Sequence, residues 1–157
     1  MADIGITVEG LQETILMLDQ APRTVVARGY VKALSAGGNV IADEVERNTP
    51  EKAEDTGGVL DKGELRDSLV VSVELDSQYR GGHALVGFTS SNNADSVALW
   101  LDFGHRMVSH SGKVLGSVAG NGFMRRSADA STEAAIDALA KSLRQTVTEN
   151  FPQMEAA

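Results

Sequence analysis

Apolar residues recur at helical spacing in two long stretches of the chain. In the first stretch, steps of three and four residues place six small or aliphatic positions on one helix face: Ala27, Val31, Leu34, Gly38, Ile41 and Val45. Thr49-Pro50 ends this helix, because proline cannot continue it. In the second stretch, the corresponding stripe consists of Ile136, Leu139, Leu143 and Val147. The pattern therefore predicts two long amphipathic helices, the second of them near the C-terminus.

A strict alternation of apolar and polar positions follows the first helix. Leu69, Val71, Val73 and Leu75 alternate with residues that are mostly polar, which is typical of a strand with one buried face. A turn near Arg80-Gly81-Gly82 leads to a second apolar run at 84–88. Because this connection is too short for a helical crossover, the two strands are predicted to form an antiparallel hairpin.

The remaining segments are shorter or richer in glycine. Alternation at 4–8 predicts a strand, and helical spacing at 11–18 predicts a helix. A short apolar helix is predicted to end at Gly104, a natural helix C-cap. Charged and glycine-rich sequence predicts long loops at 51–66 and 104–122, the latter with a small strand at Val114-Leu115 or Val118. We expect a flexible C-terminal tail at 151–157.

These elements predict one α+β domain spanning residues 1–157. Its small antiparallel sheet, the hairpin plus short strands, packs against the two long helices. Gly37 and Gly38 lie in the middle of the first helix, and each costs a helix about 1 kcal/mol relative to alanine. Two interpretations stay open for them: close approach of another helix or a neighbouring subunit, or a kink.

Composition narrows the possible functions. Hydrophobic residues make up 42% of the 157 residues, which is enough for a core, but aromatic residues make up only 4%. The net charge of −8 disfavours a general affinity for nucleic acid, since such binding relies on neutralising phosphates. The absence of cysteine excludes disulfides and thiolate metal sites. The sequence has no signal-peptide pattern, and it has no apolar run of about 18 residues that could span a membrane.

Candidate catalytic and metal-binding patterns are weak. His105 and His110 are five residues apart, whereas a helical zinc pair requires a spacing of four. Serines flank His110 without the glycine elbow of a hydrolase. The carboxylates at 43–46 are typical of a solvated helix face, and the single Asp-Thr-Gly at 55–57 lacks hydrophobic flanks. We therefore predict no catalytic site, no metal site and no cofactor.

A cationic segment is the remaining candidate. No acidic residue occurs from Phe103 to Ala128, whereas this span contains Arg106, Lys113, Arg125, Arg126 and two histidines. These cations could contact phosphate or an acidic protein surface, or they could pair internally with carboxylates such as Asp102 or Asp129. The nearby aromatic residues Trp100, Phe103 and Phe123 could belong to the core or anchor a subunit interface.

Three sequence blocks resemble a family of small tail-component proteins from tailed phages of the lambdoid type. The first block combines the helix ending at Thr49-Pro50 with Asp-Thr-Gly at 55–57 and Gly-Glu-Leu-Arg-Asp-Ser-Leu at 63–69. The second block is Trp-Leu-Asp-Phe-Gly-His-Arg at 100–106. The third is Gly-Phe-Met-Arg-Arg-Ser-Ala at 122–128, which opens the final helix.

The resemblance implies a structural role in the virion and no enzymatic activity. Copies of such a protein form a ring, expected to be six-fold, in the neck between head and tail, and DNA passes through it only as cargo. The implied partners are the chain itself, the head-closure or connector proteins, and the tail tube or tail terminator protein. The protein would lie in the host cytoplasm during assembly and afterwards in the virion, without membrane contact.

A ring of this kind needs two different complementary surfaces on each subunit. We expect one surface to be formed by the cationic segment and its aromatic neighbours, namely Trp100, Phe103, Gly104, His105, Arg106, Lys113, Phe123, Met124, Arg125 and Arg126. The expected acidic counter-patch consists of Glu54, Asp55 and Asp61. Two alternatives remain: a small DNA-binding or regulatory module that uses the basic 104–126 segment, and a small hydrolase or nuclease.

Overall fold

The computed structural model describes residues 23–51, 60, 63–76 and 81–150. Several sequence predictions lie outside these residues. They are the N-terminal strand and helix, the turn at Arg80, the acidic counter-patch of Glu54, Asp55 and Asp61, and the tail at 151–157.

The described part of the chain has the predicted α+β composition. Its helices are α1 (Arg23–Asn48), α2 (Glu64–Asp67), α3 (Ala94–Phe103) and α4 (Phe123–Asn150). Its strands are β1 (Leu69–Leu75), β2 (Gly82–Phe88), β3 (Gly104–Val108) and β4 (Val114–Ala119), and a 3-10 turn at Ser91–Asn93 precedes α3. None of these helices is long and apolar enough to cross a membrane.

The long helices α1 and α4 pack side by side in opposite directions. Lys32 Nζ near the start of α1 lies 3.6 Å from Glu149 Oε2 near the end of α4. At the other end of the pair, Asn48 Nδ2 donates a hydrogen bond of 3.1 Å to Ser127 Oγ. A Cβ atom added to Gly37 would lie 3.1 Å from the carbonyl oxygen of Ala135, and α1 runs unbroken through this point. Close approach of a second helix, rather than a kink, is therefore the reason for glycine here.

The predicted apolar stripes of these two helices are partly wrong. Val31 is 41% exposed and Ile136 is 60% exposed. Gly38 and Val45 of the predicted stripe are buried, as is Phe123. The other buried positions carry small side chains: Gly29, Ala33, Gly37 and Ala42 in α1, and Ser127, Ser131, Ala135 and Ser142 in α4. Ser131 is tolerated there because its Oγ donates to Ser127 O of the preceding turn at 2.7 Å, and Ser127 Oγ accepts from Asn48 Nδ2. Large aliphatic side chains would hold the helix axes apart.

The predicted hairpin is confirmed. Strands β1 and β2 pair antiparallel from Leu69↔Phe88 to Leu75↔Gly82. The sheet packs on a different side of α1 from α4, since a Cβ atom on Gly38 would lie 2.7 Å from Val71 Cγ1. The two adjacent glycines thus serve two different neighbours.

The small strand predicted at Val114-Leu115 or Val118 is confirmed as β4, but the prediction of a long loop over the rest of 104–122 requires correction. Strands β3 and β4 form a second antiparallel hairpin from Gly104↔Ala119 to Val108↔Val114, with an irregularity after Met107. It is a separate two-stranded sheet rather than an extension of the first one. The alternation that marks a half-buried strand is missing because most side chains on both faces of this hairpin are exposed.

The hydrophobic core lies where the C-terminal end of α1 meets α3 and the start of α4. Its buried members are Val45, Leu60, Leu65, Ala94, Ala98 and Phe123. The rings of Phe88 and Phe123 are 6.1 Å apart, so this core also reaches the first sheet. Because Leu60 and Leu65 are buried and α2 begins at Glu64, the predicted exposed loop at 51–66 is corrected at these positions.

Candidate functional site

The β3–β4 hairpin, residues 104–119, leaves and re-enters the body of the protein through a very tight backbone crossing. We call this hairpin the arm. Gly104 ends α3 with φ +83°, in the region that favours glycine, as its predicted C-cap role requires. A Cβ atom on Gly104 would lie 2.5 Å from the carbonyl oxygen of Val118. A Cβ atom on Gly120 would lie 2.2 Å from the carbonyl oxygen of Asp102. Side chains at these two positions are therefore excluded.

Asp102 fixes this crossing to the start of α4. Its side chain is buried, and its Oδ1 accepts a hydrogen bond of 2.9 Å from the backbone N–H of Met124. Its carbonyl oxygen accepts a second bond of 3.0 Å from Gly122 N–H. Asn121 Oδ1 accepts from Phe123 N–H at 3.0 Å. The Asp102 carboxylate and the Asn121 carboxamide thus accept hydrogen bonds from N–H groups that a helix start leaves unpaired. Sequence reasoning missed this role because 22 residues separate Asp102 from Met124.

The arm carries an exposed apolar surface. Leu115 is 63% exposed, and Met107, Val108, Val114 and Val118 are each more than two-fifths exposed. At the base of the arm, Phe103 is 72% exposed and Trp100 is 45% exposed. The rings of Trp100 and His105 are 5.8 Å apart, which joins the base to β3. Such a concentration of apolar side chains around one hairpin is typical of a protein-binding surface.

The four cations of this region are also exposed, and they have no ion-pair partner among the described residues. Arg106 lies on β3 opposite Ser117, and Lys113 lies in the tip, where Ser109 N–H donates to Lys113 O at 2.8 Å. Arg125 and Arg126 occupy the first turn of α4. None of the four forms an ion pair with a carboxylate in the described part of the chain. Internal pairing with Asp102 or Asp129 is therefore contradicted for these residues.

The position of Arg125 and Arg126 is unfavourable for the helix itself. The N-terminal end of a helix carries a partial positive charge, so cations in the first turn cost a few tenths of a kcal/mol. Because neither arginine gains an ion pair in the described residues, local stability does not explain them.

The ten residues of the predicted interface differ in their exposure. Phe103, Arg106, Lys113, Arg125 and Arg126 are exposed with Trp100, while Gly104, His105 and Met124 are partly buried. Phe123 is corrected: it is 0% exposed and packs against Phe88 in the core, so it cannot anchor a surface contact. For this residue the alternative left open from the sequence, membership of the core, is confirmed.

An acidic cleft was not predicted from the sequence. It is open, has a volume of about 480 Å³ and is lined by Asp43, Glu46, Arg47 and Arg66. Arg47 Nη1 lies 2.9 Å from Glu44 Oε2, and Arg66 Nη1 lies 2.7 Å from Glu51 Oε1. Each arginine thus has a carboxylate partner outside the lining residues. Asp43 and Glu46 keep carboxylates without a cationic partner among the described residues.

The described residues contain no group of three or more histidine, aspartate or glutamate side chains placed to hold a metal ion. His110 is exposed in the tip of the arm, and His105 lies beside Trp100. The candidate binding surfaces among the described residues are therefore the arm, the two arginines of α4 and the acidic cleft.

Comparison with known proteins gives one match. The family described as "Bacteriophage HK97-gp10, putative tail-component" matches residues 13–104, which is more than half of the chain. No curated protein and no solved structure matches. The matched part includes α1, the first hairpin and α3, and it ends at the root of the arm. The chain belongs to the HK97 gp10-like family of phage tail components.

Proposed function

We propose that this phage tail component forms an oligomeric ring in the neck of the virion, between the head connector and the tail tube, and that DNA passes through the ring. The observation that carries the proposal is the arm, whose apolar side chains and cations are exposed on both faces of an isolated two-stranded sheet. Family membership supports the coarser part of it, a structural protein of the tail.

An exposed hairpin of this kind needs a partner to be stable. Isolated two-stranded sheets are marginal in water, because they bury too little apolar surface to offset the loss of chain entropy. The root of the arm is fixed by Gly104, Gly120 and Asp102, whereas its outer part has no cover within the described residues. Assembly would supply the missing burial. Exposed tryptophan and arginine are also the residues that contribute most to binding at protein interfaces.

The charge distribution favours contact between copies of the chain. A ring requires two unlike surfaces on each subunit, one for each neighbour. The arm and the start of α4 contain no acidic residue, whereas the chain as a whole has a net charge of −8. Glu54, Asp55 and Asp61 remain the acidic counter-patch that we proposed from the sequence. The head-closure proteins and the tail tube or tail terminator would contact the two open faces of the ring.

One observation favours a second function, DNA binding through the basic 104–126 segment. Its cations have no ion-pair partner among the described residues. DNA binding that rests on phosphate contacts weakens steeply with salt. A gel-shift titration at increasing salt therefore separates the two functions. The ring proposal expects no tight DNA binding at physiological salt, since the acidic excess would repel a strand that must slide past.

The proposal is tested by measuring the solution mass and the assembly of a charge-reversed variant. Six 16.6-kDa subunits give a mass of about 100 kDa for a closed ring. The double variant Arg125→Glu/Arg126→Glu should remove this species and the joining of heads to tails. The matched control is Lys141→Glu/Arg144→Glu, which reverses two charges near the other end of the same helix. Unchanged rings in the first variant would contradict the proposed interface.

A further inference from the structure

The proposed ring requires a surface that receives the arm, and the acidic cleft has the matching chemistry. We propose that the arm of one subunit docks on the cleft lined by Asp43 and Glu46 in a second copy of this chain. This inference rests on the proposed function, because it names the partner of the same arm. It places the contact in the described part of the chain, independently of Glu54, Asp55 and Asp61.

The cleft presents two carboxylates on one helix face. Asp43 and Glu46 are three residues apart in α1, so their side chains project from the same side of the helix. Arg47 and Arg66 line the cleft as well, but each is already paired, with Glu44 and Glu51 respectively. A cation that enters the cleft therefore meets two carboxylates that have no partner among the described residues.

The arm carries cationic side chains at two positions along its length. Arg106 projects from the middle of β3, and Lys113 lies at the tip, so their charges are spread along the hairpin. The exposed aliphatic side chains of β3 and β4 separate and surround them. An acidic protein surface can pair with both cations while the neighbouring aliphatic side chains lose contact with water, which a chain of phosphates does not provide.

The charges of the sequence segments that contain the two surfaces agree with their contact. From Asp43 to Asp67 the sequence contains nine carboxylates and four lysines or arginines, whereas from Phe103 to Ala128 it contains four cations and no carboxylate. Opposite fields of this kind steer two copies toward one orientation. Like-charged contacts, arm to arm or cleft to cleft, are disfavoured by the same fields.

Within the described residues, the two surfaces do not pair with each other in one chain. No ion pair of the described residues joins Arg106 or Lys113 to Asp43 or Glu46 within one chain. The arm belongs to the β3–β4 sheet and the cleft to α1 and α2, so the contact joins two unlike patches. A contact between unlike patches is head-to-tail, and it generates a closed ring when the rotation between subunits allows closure.

Complementary charge reversals test this contact. The arm variant Arg106→Glu/Lys113→Glu keeps an intact cleft, and the cleft variant Asp43→Lys/Glu46→Lys keeps an intact arm. We expect each variant alone to lose the ring, with self-association weakened about tenfold or more by like-charge contact. An equimolar mixture should recover a ring in which the two variants alternate, because the intact arm meets the intact cleft and the reversed arm meets the reversed cleft. The quadruple variant should recover the ring.

A control and a cross-linking measurement complete the test. Asp129→Lys/Asp137→Lys reverses two exposed carboxylates of α4 and should leave the ring intact. In wild-type rings assembled from ¹⁵N-labelled and unlabelled chains, a carbodiimide should couple Lys113 to Asp43 or Glu46 between chains of different label. Lys113 coupled only to other carboxylates would overturn the docking site.

The outcomes distinguish this inference from the proposed function. Wild-type-like rings of the cleft variant, together with loss of rings in the Arg125→Glu/Arg126→Glu variant, would overturn the docking site and leave the ring. A wild-type chain that stays monomeric at every concentration would overturn both. DNA binding at physiological salt that the arm variant loses would assign the arm to DNA and overturn the inference.

Discussion

The carboxylate of Asp102 at the end of α3 accepts a hydrogen bond from the backbone N–H of Met124 at the start of α4, with Oδ1 and N 2.9 Å apart. The whole arm lies between these two residues in the sequence. The bond therefore closes the base of the arm and holds its two ends against the core. It also places a negative charge beside the N-terminal end of α4, where it favours the helix.

Replacing Asp102 with alanine should destabilise the fold. The substitution leaves the partly buried N–H of Met124 without an acceptor, which costs about 1–3 kcal/mol. Asp102→Asn retains an oxygen acceptor and should lose less. Urea unfolding monitored by circular dichroism measures both. Asp129→Ala, an exposed position in the same helix, is the control and should change the free energy of unfolding by less than about 0.5 kcal/mol. Equal stability of wild type and Asp102→Ala would refute the capping role.

The backbone crossing at the root of the arm should not tolerate a methyl group. In Gly120→Ala the new Cβ would lie 2.2 Å from the carbonyl oxygen of Asp102, so the backbone must move, at a cost of about 3 kcal/mol. Gly87→Ala is the matched control, because a Cβ atom there meets nothing within 4 Å. Thermal unfolding of the two variants is the comparison. A melting temperature of Gly120→Ala equal to that of Gly87→Ala would show that the crossing is looser than the structure has it.

The first hairpin could be predicted from the sequence because it has one buried and one exposed face, which produces a clear alternation. The arm could not, since the usual signal of a strand is lost when both faces are exposed. Asp43 and Glu46 indicated only a solvated helix face, and nothing in their spacing showed that Arg47 and Arg66 would pair with other carboxylates. Such features depend on contacts between distant segments.

The contact between α1 and α4 was accessible to sequence reasoning only in part. The adjacent glycines indicated close approach, but helical periodicity selected the large aliphatic residues as the buried stripe. Small residues were buried instead, because two helices that contact along their length come closest where side chains are smallest. Hydrophobicity alone assigns serine to the surface, so Ser127, Ser131 and Ser142 gave no signal of burial.

The contact between Gly29 and Thr146 offers a test of this small-residue packing. Gly29→Ala should gain about 1 kcal/mol of helix propensity, but its Cβ would lie 2.8 Å from Thr146 Cγ2. Thr146→Ser removes that methyl group and keeps the hydroxyl that donates to Ser142 O at 3.0 Å. We therefore expect Gly29→Ala to destabilise the wild type and to stabilise the Thr146→Ser background. A double-mutant cycle should give a coupling of about 0.5–3 kcal/mol, whereas additive effects would mean that the helices separate freely here.

Substitution of Phe123 should lower the stability of the subunit, whereas substitution of Phe103 should weaken assembly. Phe123 is fully buried against Phe88, so Phe123→Ala should lower the free energy of unfolding by about 3–5 kcal/mol. Phe103 is 72% exposed at the base of the arm, so Phe103→Ala should change subunit stability by less than about 0.5 kcal/mol. If the arm is an assembly surface, Phe103→Ala should nevertheless weaken ring formation by about tenfold, as loss of an interface aromatic does. Denaturant unfolding and light scattering measure the two properties separately. Rings of Phe103→Ala that dissociate at the wild-type concentration would remove the base of the arm from the interface.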